Sequence, residues 1–276
     1  MKPWETVGRA RVPDGSEMVL ARRGDEWVVR ASGRVLMTSR THGSEEALAE
    51  LALQRVARPR AVLVGGLGLG YTLRAALDRL APDARVVVAE LVPDLVEWNR
   101  GPVAALAGRP LDDPRVRLAV GDVADRIAEA RGAFDAILLD VDNSPSSMVM
   151  AGNDRLYGDR GVRACRRALR TGGVLAVWSA GTDARYLARL RRAGFEAEER
   201  IVPARGQAGV RHFLFLARAG AEPPRRPAGR RPPQARRGSP RSGGRARAAS
   251  TKKASSPIPG SELLQTHCSM RGPTMS

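Results

Sequence analysis

The chain has 276 residues, 43% of them hydrophobic, and a formal net charge of +17 at pH 7. That is enough apolar material for one core of catalytic size, and two cysteines in such a length exclude a disulfide-built scaffold or a cysteine metal cluster. The charge is uneven: from Gly220 onward twelve Lys or Arg stand against Glu222 and Glu262, so this stretch carries +10 of the total.

The first residues, Met-Lys-Pro-Trp-Glu-Thr, lack the apolar centre of a signal peptide, and no apolar run reaches the length of a membrane span. A cytoplasmic protein without membrane contact is expected. Residues 17–38 alternate in three short runs, Glu17 to Ala21, Glu26 to Arg30 and Arg34 to Thr38, broken at Arg23-Gly24-Asp25 and Ser32-Gly33. They read as a small antiparallel meander. Ser44 is the expected N-cap of a helix through Ala57, with glutamates in its first turn.

Residues 61–70, Ala-Val-Leu-Val-Gly-Gly-Leu-Gly-Leu-Gly, form an apolar run that stops in Gly65, Gly66, Gly68 and Gly70, followed by a helical pattern from Tyr71 to Leu80. A strand that turns through glycines into a helix offers bare backbone N–H groups to a nucleotide-like ligand. Strands are expected next at 85–90, 115–120, 134–140 and 174–179, with helices at 71–80, 93–107, 123–131, 158–170 and 183–193. Continuous apolar strands such as Ala136-Ile137-Leu138-Leu139 indicate burial on both faces, as in a parallel sheet covered by helices. Phe195 to Val202 and Val210 to Ala217 read as a closing β-hairpin. The expected fold is α/β: a Rossmann-like, doubly wound, mostly parallel sheet with a terminal antiparallel hairpin. It resembles the class I methyltransferase type. The domains read as 1–43, the meander; 44–219, the nucleoside-binding catalytic domain; and 220–276, a basic Pro/Arg/Ser-rich tail too poor in aliphatics to fold. Such a tail suits non-specific contact with polyanions. Cys165 falls in a predicted helix and Cys268 in the tail; no metal site is expected, and His42 and His212 suggest none.

Ligands on an open parallel sheet collect at the carboxyl ends of its strands. Here those ends carry the glycines, then Glu90, then Gly121-Asp122, then Asp140 followed by Val141-Asp142-Asn143. Glu90 suits ribose hydroxyls, Asp122 an adenine amine, and the backbone of Val123 the ring. Three carboxylates around one pocket fit an adenosine bearing a cationic sulfonium better than a dinucleotide pyrophosphate. Asp140 stands closest to the reacting centre.

With these residues on the page, the chain resembles the spermidine synthases, or polyamine aminopropyltransferases. The resemblance runs from about Trp27 to Ala217 through Gly65-Gly66, Thr72-Leu73-Arg74, Glu90, Asp112-Asp113-Pro114-Arg115-Val116, Gly121-Asp122, Phe134-Asp135, Asp140, Leu156-Tyr157 and Ala168-Leu169-Arg170-Thr171-Gly172-Gly173. It implies a β-domain on a methyltransferase-like sheet, with Glu90 and Asp122 binding the adenosine of decarboxylated S-adenosylmethionine and Asp140 as general base. No permanently bound cofactor is implied. The departures fall mostly where that family holds its amine. Leu67-Gly68-Leu69-Gly70 has no acid, the helix start Ser44-Glu45…Leu48-Ala49-Glu50 lacks the family's tyrosine and histidine, and no glutamine precedes Gln54. Asn143 replaces an acid, Gly161-Val162 an aromatic pair and Trp178 a glutamine. Asp142, Asn143 and Tyr157 remain the expected acceptor contacts. Aminopropyl transfer to a small amine leads; S-adenosylmethionine-dependent methyl transfer and a non-catalytic nucleoside-binding role stay open, as do the acceptor's identity and a homodimeric state.

Overall fold

The structure, a computed structural model, describes residues 2–13, 15–141, 153–204 and 210–220. The basic stretch beyond Gly220 lies outside them. Four antiparallel strands come first: β1 (Glu5–Arg11), β2 (Glu17–Arg23), β3 (Glu26–Ala31) and β4 (Arg34–Thr38), paired in that order. β1 escapes a pattern reading because it is an edge strand, and only Ala10 among its seven residues is buried. The meander buries Met18, Leu20, Trp27 and Val29 against Val92, Leu95 and Trp98. Gly8 is required there, since a Cβ would lie 2.6 Å from the Trp98 indole nitrogen.

The second sheet has seven strands: β5 (Ala61–Gly65), β6 (Arg85–Glu90), β7 (Val116–Val120), β8 (Phe134–Leu139), β9 (Leu169–Ser179), β10 (Phe195–Pro203) and β11 (Arg211–Ala219). Their order is β10-β11-β9-β8-β5-β6-β7. β7, β6, β5, β8 and β9 run parallel, while β11 is antiparallel to β9 and to β10. This is the doubly wound sheet with a closing hairpin that the alternation of elements anticipates.

Among the described residues seven α-helices cover it: α1 (Gly43–Leu53), α2 (Tyr71–Arg79), α3 (Pro93–Arg100), α4 (Val123–Glu129), α5 (Asn153–Tyr157), α6 (Asp159–Ala168) and α7 (Ala184–Arg192). Strand residues alternate between two cores. Val62, Val64, Val86, Val88 and Leu138 join Leu48 and Leu73 from α1 and α2, whereas Leu63, Ile137, Leu139 and Val177 join Ile127, Val162 and Leu190 from α4, α6 and α7. Each inner strand is thus apolar on both faces, as a helix-covered parallel sheet demands.

Several boundaries differ from the sequence expectation: α1, expected through Ala57, ends at Leu53. α3 stops at Arg100 instead of 107, because Gly101-Pro102 breaks it; two short 3-10 turns follow, at Ala104–Ala107 and Pro110–Asp112. β9 begins at Leu169 instead of 174, since the chain after α6 enters the sheet at once beside Phe134. Ser44 does not cap α1. That position falls to His42, and Ser44 lies wholly buried inside the first turn. Among the described residues no helix is long and apolar enough to cross a membrane.

Candidate functional site

The carboxyl ends of β5, β6, β7 and β8 border a cavity of about 500 Å³. Gly66, Gly68, Glu90, Asp122, Val123 and Asp140 all line it, together with Met18, Arg34 and Met37 of the meander. The topology therefore gathers at one place residues spread over 75 positions of sequence, because each ends a strand or begins the loop after it.

The glycine loop is shaped by contacts on both sides. Gly66 has φ +90°, and a Cβ built on it would lie 2.1 Å from the Asp140 carbonyl oxygen. Gly65 and Gly70 serve packing instead of lining the cavity, which corrects their expected ligand contact. A Cβ on Gly65 would meet Val123 and Leu139 at 2.8 and 3.0 Å, and Gly70, at φ +88°, faces Pro110, Asn99 and Ala107. Of the four loop glycines, Gly66 and Gly68 line the cavity.

Glu90 is 5% exposed, and its carboxylate accepts the backbone N–H groups of Leu67 and Val92, each at 2.8 Å. Burial pushes its pKa up, and hydrogen bonds from Val92, Leu67 and Leu91 oppose that shift. The residue thus ties the glycine loop to the end of β6 as well as presenting a carboxylate to the cavity. Glu90→Gln turns one acceptor oxygen into an NH₂ facing a backbone donor. The variant should lose roughly 1–3 kcal/mol of stability, and its affinity for methylthioadenosine should fall roughly 10-fold or more. Denaturant melts and calorimetry on one preparation check both; unchanged affinity in a folded variant removes Glu90 from the ligand site.

At the end of β7, Asp122 caps α4 by accepting the Ala124 N–H at 2.8 Å, while its second oxygen takes Arg155 Nη1 at 2.6 Å. Arg155 also pairs with Asp125 and lines the cavity. Its role was not legible in the sequence, where it is one of many arginines. Val123 begins α4, at a position where a helix leaves its N–H without an intrahelical partner. At the end of β8, Asp140 donates its N–H to the Gly65 carbonyl at 2.8 Å, and its Oδ2 accepts from Thr72 Oγ1 at 2.5 Å. A smaller compartment of about 50 Å³ adjoins Asp140, lined also by Glu45, Tyr71 and Trp178.

Tyr157, expected to orient the acceptor, is fully buried and packs edge-on to Tyr186 with ring centroids 5.7 Å apart. Its ring belongs to the core under α6 and α7, not to either cavity. Asp142 and Asn143 lie outside the described residues, as does the side chain of Asp154. His42 stacks on Tyr71, with centroids 3.9 Å apart, and its Nδ1 meets Glu46 at 2.9 Å. Glu45, Tyr71 and Trp178, which line the smaller compartment, were not picked out as candidate site residues from the sequence.

No protein-family model matches the chain. It is 35% identical over 139 residues to a polyamine aminopropyltransferase of Nitrosomonas europaea, covering 48% of this chain and 41% of that protein. A putrescine N-methyltransferase of Nicotiana tabacum is 32% identical over 131 residues, covering 47% of this chain and 32% of that protein. The spermidine synthase structure from Thermotoga maritima superposes with a TM-score of 0.65 over 79% of this chain and 74% of that one, at 19% identity. Over these stretches the chain is similar to polyamine aminopropyltransferases. At that identity the superposition shows a shared fold. Across the first curated aminopropyltransferases the match spans about two fifths of their length or less.

Proposed function

We propose that the chain transfers an aminopropyl group from decarboxylated S-adenosylmethionine to a small amine. The supporting observation is that the carboxylates of Glu90, Asp122 and Asp140 line one cavity with the glycine loop. Set against Arg34 and Arg155 on the same wall, the three carboxylates leave the pocket net negative, which favours a nucleoside carrying positive charge, and the 28% to 35% identity to curated polyamine aminopropyltransferases supports the reading. In this reading Glu90 takes the ribose hydroxyls, while Asp122 and the Val123 N–H take the adenine.

The acceptor arrives as an alkylammonium, whose pKa resembles that of lysine, about 10.4. A carboxylate must hold the cation and remove a proton before the nitrogen is nucleophilic. Asp140 is the residue for this. The freed lone pair then forms the C–N bond, the C–S bond breaks, and its electrons neutralise the sulfonium to leave methylthioadenosine. The proton passes from Asp140 to solvent. Holding the nitrogen in line with the C–S bond supplies the remaining acceleration.

Methyl transfer is the second reading. The tobacco relative and the presence of Arg34 at the cavity, a partner for a methionine carboxylate, favour it. Against it, Leu67 and Leu69 of the glycine loop are buried and offer that carboxylate nothing. Mass spectrometry of reactions with both sulfonium donors and a panel of diamines decides. An aminopropylated amine with methylthioadenosine supports the first reading, a methylated amine with S-adenosylhomocysteine the second. Neither product, with methylthioadenosine still bound, would indicate a binding protein.

The polyanion contact of residues 220–276 is a separate proposal. Deleting 221–276 should abolish salt-sensitive binding to a nucleic acid and leave turnover within about twofold, because clustered arginines act through counterion release. Filter binding at two salt concentrations with the full and shortened chains checks it; polyanion binding kept by the shortened chain rejects it.

A further inference from the structure

The folded domain carries its excess charge on one side. From Asp159 to Arg170 and from Asp183 to Arg192 the chain holds nine arginines against two aspartates, an excess of seven positive charges. That equals the whole net charge left once the basic stretch from Gly220 is set apart, so the remainder of residues 1–219 is balanced. Both segments build one layer. α6 buries Val162, Cys165 and Ala168, and α7 buries Tyr186 and Leu190, in the same core on that side of the sheet. Asp159 Oδ1 draws the two helices together, lying 3.3 Å from Arg189 Nε and 3.8 Å from Arg192 Nη2.

The arginines turned to solvent fall at helical spacing. Arg160, Arg163 and Arg167 stand three and seven residues apart along α6, which places them on one face, and all three are exposed. None of them enters an ion pair or hydrogen bond among the described residues, and neither does the exposed Arg185 of α7. Like charges three and four residues apart destabilise a helix, so the stripe is a cost that a bound polyanion would remove. Its chemistry selects the partner. Guanidinium forks match phosphate oxygens two at a time. The stripe spans about 10 Å of helix axis at ~1.5 Å per residue, and so faces about six charges of a duplex that carries one per ~1.7 Å. The large apolar side chains exposed on the domain, Val7, Val35, Leu91, Val120 and Ile201, all lie off α6 and α7. The face therefore offers a bilayer nothing to insert and a protein no apolar anchor. Gly220, where the basic stretch begins, is tied to α6: Arg166, 5.9 Å over the Phe195 ring, donates from Nη2 to its carbonyl.

We propose that the exposed face of α6 is a contact for nucleic-acid backbone in its own right, with Arg160, Arg163 and Arg167 each taking a phosphate. The inference rests on the polyanion reading of residues 220–276 for its partner, and it adds a contact that belongs to the folded domain. Three contacts alone fall short of the roughly six to ten behind ordinary non-specific affinity. The face acts on a strand already captured by the covalently attached basic stretch, where the effective concentration is high.

The test is filter binding of a mixed-sequence DNA duplex to the full chain over a salt series. A variant combining Arg160→Gln, Arg163→Gln and Arg167→Gln should lower the slope of log affinity against log salt by about 2–3 in magnitude, at roughly 0.9 for each phosphate lost. Affinity at ~0.1 M salt should fall at least about tenfold. Glutamine is a good helix former, so melting temperature and turnover should not change. If the triple variant fails to fold, Arg163→Gln alone should still lower the slope by about 0.9. Arg58, Arg85 and Arg117 are exposed and outside the ion pairs of the described residues. Replacing these three by Gln removes the same charge elsewhere and should change the slope by less than about 0.5. An unchanged slope in the α6 variant, or an equal fall in the control, overturns the assignment. If the chain ending at Gly220 fails to bind while the full-length α6 variant keeps the original slope, the tail reading stands and the α6 contact falls. If the shortened chain binds and its binding depends on the α6 arginines, the α6 contact stands and the tail reading falls. Arginine-dependent binding to phosphatidylserine vesicles with duplex binding unaffected overturns nucleic acid as the partner.

Discussion

Asp140→Asn should lower aminopropyl transfer roughly 10²- to 10⁴-fold, the usual loss for a general base, while methylthioadenosine still binds. Asparagine keeps the shape of the side chain and retains an oxygen for the Thr72 hydroxyl, which lies 2.5 Å from Oδ2. The backbone N–H to the Gly65 carbonyl is untouched. What disappears is the capacity to take the ammonium proton and the charge that attracts the cation. Melting temperature, methylthioadenosine affinity and turnover measured on one preparation separate the alternatives. If the carboxylate serves only to hold Thr72 and the loop, stability and nucleoside affinity fall together and activity per folded molecule changes little. A stable, ligand-competent variant keeping more than about a tenth of the original turnover would falsify the catalytic assignment, since that loss is smaller than general-base removal produces.

Gly66→Ala should damage both fold and site. At φ +90° an alanine costs roughly 1–2 kcal/mol in backbone strain alone. Its Cβ would also lie 2.1 Å from the Asp140 carbonyl oxygen, so β5 and β8 must move apart where their ends carry the loop and the base. Relieving such an overlap adds about 1–3 kcal/mol. For a domain of this size the melting temperature should fall by roughly 4–20 °C, at some 2–4 °C for each kcal/mol. Turnover should fall further than the folded fraction, because the displaced atom is the backbone of Asp140 itself. Gly68→Ala provides the comparison. Gly68 also has a positive φ, +53°, but its Cβ would meet only the flexible Met37 side chain, the sulfur at 3.3 Å, so the change should be distinctly milder. Equal melting temperatures for the two variants would show that the Gly66 overlap relaxes without consequence.

The cavity residues Glu90, Asp122 and Asp140 were legible before any coordinates because parallel-sheet strands announce their own ends. Glu90 and Asp140 are each the first polar residue after a run that is apolar on both faces, while Asp122 follows Leu118-Ala119-Val120-Gly121 at the end of the edge strand β7. Tyr157 misled for a related reason. A tyrosine after a loop suits contact with a substrate and core packing equally, and only its edge-on contact with Tyr186 decides for the core. Ser44 was misjudged likewise: serine before a glutamate pair is the local pattern of an N-cap, yet tertiary contacts with Trp178 and His212 claim its hydroxyl instead.

Local sequence by itself therefore determined most element types, though not edge strand β1, together with the two-sided burial of the inner parallel strands and the acids at strand ends, since these depend on periodicity and on which residues tolerate a turn. Only the tertiary structure decided what those acids touch. Ser44 and His212 are 168 residues apart and Thr72 and Asp140 are 68 apart, and no periodicity within a segment encodes such meetings. They follow from the order in which the strands pair, β11 beside β9 and β8 beside β5, which brings α1, α2 and the closing hairpin to the same end of the sheet.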